Sequence, residues 1–301
     1  MFGVPQGSIL GPLLFNIFIS DLFLFLPDDI VSYADDNTPY YTGKDTMEVL
    51  SALENKSEIM IKWFKDNSMK ANPDKYHMIL SDKNQCTITV GDELVVSSDQ
   101  EKLLGIKIDK ELKFNLHVES LCKKASQKVN ALSRLAHTMT FKQRKNIMNS
   151  FIISHFSYCP VVWMFHSREL NNRINRIHER SLRVVHRDYV SSFEELLEKD
   201  NSLTIHQRNI QKLMTEIFKI KVGIAPMIMK EVFDFAEPSY SLRNDTKFKS
   251  RNVRTVRFGL ETPSFMGPKL WNLMPSEIKK SSSLAEFKSR IKYWIPEHCP
   301  C

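Results

Sequence analysis

A chain of 301 residues has room for about two domains, and 42% hydrophobic with 26% charged residues excludes a disordered protein in favour of one that buries a core. Five cysteines, an odd number at irregular spacing, exclude a secreted disulfide framework and fit a reducing, intracellular compartment. The net charge of +7 conceals an asymmetry: all 42 Lys and Arg follow Tyr40, whereas residues 1–40 carry only acids, Asp21, Asp28, Asp29, Asp35 and Asp36. The acidic start is where a metal would sit, and the basic remainder suits a polyanion such as nucleic acid. A merely soluble basic surface is the alternative.

In chain order, Gly3 to Gly7 is a glycine and proline loop that lets backbone approach a ligand closely. A helix is expected from Ser8 onward, with Ser8 as its cap, Pro12 early in it, and Leu10, Leu13, Leu14, Ile17, Phe18 and Leu22 at helical spacing. Although apolar from Ile9 to Leu26, this run is broken by Asn16, Ser20 and Asp21 and lacks a basic leader, so it reads as a buried helix rather than a signal peptide or membrane span. No membrane segment follows. Val31-Ser32-Tyr33-Ala34-Asp35-Asp36-Asn37-Thr38 is then an apolar run delivering two carboxylates to a turn, with a strand from Ile30 to Ala34, Asp35 at its tip, and Asp36 and Asn37 reversing the chain. Carboxylate oxygens at such a tip suit Mg²⁺, although most Asp-Asp pairs are ordinary turns or caps.

Together, Gly3-Val4-Pro5-Gln6-Gly7-Ser8 and Tyr33-Ala34-Asp35-Asp36, in this order and spacing, resemble the reverse transcriptases of non-LTR retrotransposons of the jockey type. The resemblance implies that Asp35 and Asp36 are catalytic metal ligands for Mg²⁺, or Mn²⁺ in its place. It also implies that Pro5, Gln6, Gly7, Ser8 and Tyr33 line the nucleotide and template. For Gln6 the alternative is a hydrogen bond within its own loop. Pro39 departs from the family, which usually has an aliphatic residue there, and a proline weakens the return strand.

Thr46 to Asp66 carries Leu50, Leu53, Ile61 and Phe64 on one stripe, the pattern of a helix packed on a sheet. Met69 to Lys75 resembles the family's Leu-Asn-Pro-x-Lys element, which implies that Lys75 assists the pyrophosphate leaving group; a solvated lysine after a proline turn is the alternative. Strands are expected over Tyr76 to Leu80, Cys86 to Val90 and Glu93 to Val96, the last two joined at Gly91-Asp92. Lys102 to Asp109 resembles the primer-grip hairpin, so Leu104, Gly105 and Ile106 would sit under the primer end.

Beyond Asp109 helices take over. Val118, Leu121, Cys122, Ala125, Val129, Leu132 and Leu135 keep helical spacing, a second helix spans Lys142 to His155, and a third spans Arg168 to Arg187. In the third, Arg173, Arg176, Arg180, Arg183 and Arg187 share one face beside Leu170, Ile174, Ile177 and Val184. Five like charges repel, which favours contact with a nucleic-acid backbone over a solvated face. Further helices are expected over Phe193 to Glu198 and Leu203 to Val222, followed by a basic extended segment with Arg243, Lys247, Lys249, Arg251, Arg254 and Arg257. Gly267 to Pro275 resembles a tail of such open reading frames, with Trp271 read as core rather than as a base-stacking platform. Cys299-Pro300-Cys301 has no matching ligand pair for a zinc knuckle and reads as a frayed terminus. His155 and His166 read as packed polar groups.

The expected fold class is α+β: the C-terminal half of a polymerase palm over 1–110, a mostly helical thumb over 111–190, and a helical and extended C-terminal region over 191–301. In the family a further metal-binding aspartate and the fingers lie upstream of Gly3, so the chain reads as a C-terminal fragment that is inactive alone. Completed by its upstream half, it would extend a DNA primer on an RNA template with deoxynucleoside triphosphates. A non-catalytic nucleic-acid-binding remnant of a mobile element is the alternative. The expected setting is intracellular, not secreted and without a membrane.

Overall fold

The computed structural model describes residues 7–26, 30–82, 84–233, 248 and 253–296, with backbone alone at Arg257 and Phe258. The chain divides into two compact units, Met1–Leu112 and Lys113–Cys301. Helices and small sheets alternate in the first, and the regular elements described in the second are helices, so the chain is α+β.

The first unit opens with α1 (Gly11–Ile19) and α2 (Leu22–Phe25). Pro12 lies in the first turn of α1, where a missing amide costs little. Leu10, not Ser8, is the residue at the cap, but Ser8 Oγ still accepts from the Gly11 amide at 3.3 Å. The expectation of a buried helix is corrected here. Of α1 only Gly11 and Ile19 are buried, while Leu13, Leu14 and Ile17 are each at least half exposed. A helix apolar on every side can bury only the stripe that meets its neighbour, and here that stripe is Ile19, with Leu22 and Leu26 beyond it, against Met60 and Trp63 of α3 (Thr46–Asp66).

Asp45 starts α3 by accepting from the Glu48 amide at 3.2 Å, a side-chain cap for an otherwise unpaired amide. The other side of α3 meets a three-stranded sheet of β3 (Met78–Ile79), β4 (Thr87–Val90) and β5 (Glu93–Ser98) in the order β3-β5-β4. Strands β4 and β5 form the hairpin expected at Gly91-Asp92, with Gly91 at φ +63, and β3 pairs parallel to β5. Ile88, Val95 and Met78 form a small core with Leu50 and Leu53 of α3. Glu54 of α3 also accepts from the Thr89 amide at 2.8 Å, satisfying a donor on the edge strand.

The second unit begins with α4 (Asn115–Leu135) and α5 (Phe141–Ile147). The helix expected to end at His155 is not regular: a π-helical stretch, Met148–Ile153, joins α5 to α6 (Ser154–Ser157). The wider turn carries Met148, Ile152 and Ile153 together into the core. After α7 (Pro160–Trp163) comes α8 (Arg168–His186), whose Leu170, Ile174, Ile177 and Val184 are all buried in that core. Then follow α9 (Phe193–Lys199) and α10 (Ile205–Lys221), close to their expected spans, and α11 (Ile228–Val232).

A second core gathers α10 with α12 (Pro263–Leu273), α13 (Ser276–Lys279) and α14 (Leu284–Ile291). Trp271 is fully buried, stacked on Phe287 at 6.0 Å, which settles its role as core. Gly267 explains the glycine of that segment, since a Cβ there would come within 2.7 Å of the Phe233 ring and 2.9 Å of Ile217. No helix among the described residues is long and apolar enough to cross a membrane.

Candidate metal hairpin and nucleic-acid interface

Strands β1 (Ile30–Tyr33) and β2 (Asp36–Pro39) form an antiparallel hairpin with Tyr33 opposite Asp36 and Ser32 opposite Asn37. The turn is therefore Ala34-Asp35, not Asp36-Asn37 as expected, and Ala34 adopts φ +54 to make it. A non-glycine residue there is uncommon. What pulls Asn37 into the strand is its side chain: Ser32 Oγ donates to Asn37 Oδ1 at 2.5 Å, and Asn37 Nδ2 donates to the Asp35 carbonyl at 3.3 Å. Asp35 thus stands at the tip and Asp36 on the first residue of the return strand, both exposed. Pro39 ends β2, a position where a missing ladder donor is tolerated.

Hard oxygens from two adjacent carboxylates suit Mg²⁺, which is commonly bound through one or two carboxylates with water and substrate phosphates completing its shell. Among the described residues no group of three or more His, Cys, Asp or Glu is placed to hold a metal, so this pair would supply only part of a shell. Of the loop expected to line the nucleotide, Pro5 and Gln6 lie outside the described residues; Gly7 sits at φ +85 and exposed. Tyr33 is 66% exposed beside the carboxylates.

Lys75 ends a short 3-10 turn, Pro73–Lys75, which Asn72 caps by accepting from the Asp74 amide at 3.2 Å. Its side chain is exposed. Leu104 and Gly105 form the two-residue turn between β6 (Gln100–Leu103) and β7 (Ile106–Asp109), at φ +47 and +87. Positive φ at both positions is the signature of the tight hairpin turn that matches strand twist. Ile106 points into the protein while Leu104 stays 39% exposed at the tip.

The five arginines of α8 are not equivalent. Arg183 pairs with Glu179 one turn earlier at 2.6 Å, and Arg180 donates to Asn130 at 2.8 Å. Arg187 is the C-cap of α8, and its guanidinium donates to the carbonyls of Ala136 and His137. Partners within the chain therefore relieve part of the repulsion inferred from the spacing. Arg173 and Arg176 are exposed and line a cleft of about 300 Å³ with Asn115, Glu119, Ser167, Glu169 and Leu170. Of the basic extended segment, Arg243, Lys247, Lys249 and Arg251 lie outside the described residues, as do Cys299, Pro300 and Cys301.

Two buried features of this unit have no sequence signal. Asp200 takes an ion pair from Lys145, and His186 Nε2 lies 2.9 Å from its other oxygen. Burial pushes the Asp200 carboxyl up, but these hydrogen bonds outweigh it and hold it below the usual range. Partners 55 and 14 residues away are invisible to spacing rules. His178 is fully buried edge-on to Phe193, with neither ring nitrogen hydrogen-bonded among the described residues. Burial, aided by Arg208, pushes its imidazole down to about 3.

Residues 1–108 match the family of the reverse transcriptase (RNA-dependent DNA polymerase). The chain is similar to the probable RNA-directed DNA polymerase from transposon BS of Drosophila melanogaster, 28% identical over 199 residues that cover 61% of this chain and 22% of that protein. It is also similar to the RNA-directed DNA polymerase from mobile element jockey of the same fly, 25% identical across 60% of this chain and 21% of that protein. A third relative, the retrovirus-related Pol polyprotein from type-1 retrotransposable element R1 2 of Nasonia vitripennis, is 25% identical across 54% of this chain and 43% of that protein. The matches support a reverse transcriptase of the non-LTR type. The chain spans about a fifth of the length of the two fly relatives. No solved structure matches it.

Proposed function

We propose that the chain is the C-terminal part of a retrotransposon reverse transcriptase, with palm residues over 1–110, a thumb-like region over 111–190 and a C-terminal region over 191–301. The reading rests on one observation above others: Asp35 stands at the tip of a two-residue hairpin turn with Asp36 beside it, within the segment that matches the reverse transcriptase family. Asp35 and Asp36 would hold Mg²⁺ or Mn²⁺. Bound there, the ion would act as a Lewis acid toward phosphoryl oxygen.

In this reading Gly7 lets the loop of Pro5, Gln6 and Ser8 lie close against nucleotide and template, with Tyr33 next to the hairpin tip, paired with Asp36. Lys75 carries a flexible ammonium that delivers a proton or charge to the leaving pyrophosphate. Leu104, Gly105 and Ile106 hold the primer end from below, and α8 faces the nucleic-acid backbone. The partners are an RNA template, a DNA primer, deoxynucleoside triphosphates and the upstream polymerase half to which the resemblance assigns the remaining palm aspartate. The setting is intracellular.

Primer extension on an RNA template tests the reading, with this chain alone and joined to the upstream region of a jockey-like relative. Template-directed synthesis by the joined protein that disappears in Asp35→Ala supports it, and synthesis undiminished in Asp35→Ala overturns it. Synthesis by the chain alone would overturn the expectation that it is inactive unaided. The second reading, a non-catalytic nucleic-acid-binding remnant, is favoured by the basic face of α8 and predicts binding without synthesis in either form.

A further inference from the structure

We propose that one end of the second unit, where the close of α4, the start of α5 and the turn after α8 come together, is a stacking surface for single-stranded nucleic acid. The inference rests on the reading that this chain handles nucleic acid, and it adds a place for contact apart from the arginine row of α8. Side-chain bonds from two arginines hold these segments together. Arg144 is buried, its Nε donating to the Val185 carbonyl at 2.9 Å and its terminal nitrogen to the Met139 carbonyl at 2.6 Å. Arg187 donates to the Ala136 carbonyl at 2.8 Å.

This hydrogen-bonded junction presents two aromatic rings to solvent. Phe141 lies 5.1 Å from the His186 ring yet remains 50% exposed, and Tyr189, three residues beyond His186, is 67% exposed. Exposed cations lie on the same segments, Arg134 in the last turn of α4 and Lys142 in the first turn of α5. Two acids of the neighbourhood, Asp188 and Asp200, are already engaged. Asp188 accepts from Lys199 at 2.8 Å, from the Ser191 hydroxyl at 2.8 Å and from the Val190 amide at 3.2 Å; Asp200 is taken by Lys145 and His186. Arg144 and Arg187, by contrast, donate to carbonyl oxygens and not to acids in these bonds.

Exposed aromatic rings on hydrogen-bonded segments that also carry exposed cations fit a ligand that has both flat faces and phosphates. In a duplex the base faces are covered by their neighbours, so the surface suits unpaired bases, which stack on aromatic side chains whatever their sequence. The strand's phosphates would meet Arg134 and Lys142.

Fluorescence anisotropy with the whole chain tests this, using a labelled single-stranded RNA oligonucleotide and a blunt RNA duplex of the same length at several salt concentrations. Tyr189→Ala should weaken binding of the single strand about tenfold, with little change for the duplex. Tyr189→Phe, which keeps the ring, should bind as the parent does. The double variant Arg134→Gln with Lys142→Gln should reduce the slope of log affinity against log salt by about one unit. Circular dichroism confirms that each variant is folded, which the exposure of Tyr189 favours. A folded Tyr189→Ala with parental affinity, or a Tyr189→Phe as weak as Tyr189→Ala, overturns the proposal. If in addition Arg173→Gln weakens binding, the reading of the chain as nucleic-acid-binding stands and only this surface falls.

Discussion

The Arg187 guanidinium donates to the carbonyl oxygen of Ala136 at 2.8 Å, so the residue that ends α8 also closes the end of α4. Its backbone is left-handed, φ +55, a conformation glycine adopts freely and other residues adopt at a cost of about 1 kcal/mol. Two opposing effects therefore meet at one position. Arg187→Ala keeps the strain and loses the hydrogen bonds, and should lower the unfolding free energy by about 1–3 kcal/mol. Arg187→Gly loses the same bonds but relieves the strain, and should lie about 1 kcal/mol above Arg187→Ala. Urea unfolding measures both, and equal stability of the two variants would contradict the role of the backbone strain.

His178 makes the second unit sensitive to acid. Its folded imidazole resists protonation until about pH 3, chiefly through burial, with Arg208 and Lys145 opposing a further charge and Asp200 favouring one. Below about pH 6.5 the unfolded chain takes up a proton that the folded chain refuses. The unfolded state then binds more protons, and stability falls on acidification through that window by at most about 1.4 kcal/mol per pH unit for this group. His206, pushed down to about 4 by burial, adds the same trend over a shorter window. His178→Phe should flatten the dependence of urea midpoint on pH between pH 6 and about 4. An unchanged dependence would show that His178 is not responsible.

Long periodic elements were legible from residue spacing alone. The buried row of Leu170, Ile174, Ile177 and Val184 follows from a period near 3.6 with one apolar face. In α3, by contrast, the expected Leu50, Leu53, Ile61 and Phe64 are only half-buried and Val49, Met60 and Trp63 are the buried apolar residues, because that helix is covered on two sides. The Leu104-Gly105 turn followed from a family resemblance, and its glycine occupies the conformation that glycine alone takes without cost. What stayed hidden depends on partners distant in the chain or on competing side chains. Nothing local announces that Ser32 will draw Asn37 into a strand, moving the turn to Ala34-Asp35. The π-helical stretch at Met148–Ile153 answers to core packing, not to composition. For α1, mean apolarity suggested burial on all sides, whereas a neighbour on one side decides how much is covered.

The turn at Leu104-Gly105 gives paired predictions of opposite sign. Gly105→Ala forces a side chain into φ +87 and should destabilise the protein by about 1–2 kcal/mol. Leu104→Asn places at φ +47 a residue that tolerates it, and should be neutral or stabilise by up to about 1 kcal/mol. If Leu104 supports a primer end, Leu104→Asn in a primer-extending protein joined to its upstream half will be as stable as the parent yet extend more slowly. Equal extension rates would remove Leu104 from that role.

In the same joined protein, the hairpin carboxylate should matter more than the lysine. Asp35→Asn removes a negative oxygen from the proposed metal site and should cost about a thousandfold or more in extension rate. Lys75→Ala removes proton or charge assistance, worth about a hundredfold. Steady-state rates on one RNA template rank them. A loss at Lys75 as large as that at Asp35 would mean that the lysine does more than assist a leaving group.

The arginine row of α8 yields a prediction that the structure sharpens beyond the spacing. Spacing alone treats Arg173, Arg176, Arg180, Arg183 and Arg187 as equals, each adding close to one unit to the slope of log affinity against log salt if it touches a phosphate. Within the chain, however, Arg183 is held by Glu179, Arg180 by Asn130, and Arg187 by two carbonyls, so their guanidinium groups must exchange a partner to bind a phosphate. Arg173 and Arg176 are exposed at a cleft and need no such exchange in any bond described above. The double variant Arg173→Gln with Arg176→Gln keeps helix propensity and should shrink the slope for an RNA–DNA hybrid by about one to two units. Arg183→Gln should leave the slope nearly unchanged and show its effect in stability instead, by about 0.5 kcal/mol, because a partly exposed i,i+4 pair contributes little. Nitrocellulose-filter binding across a salt series, with circular dichroism to confirm folding, separates the two. If the double variant keeps the parental slope while Arg183→Gln reduces it, the phosphates lie along the other end of the row and the pairing with Glu179 is given up on binding.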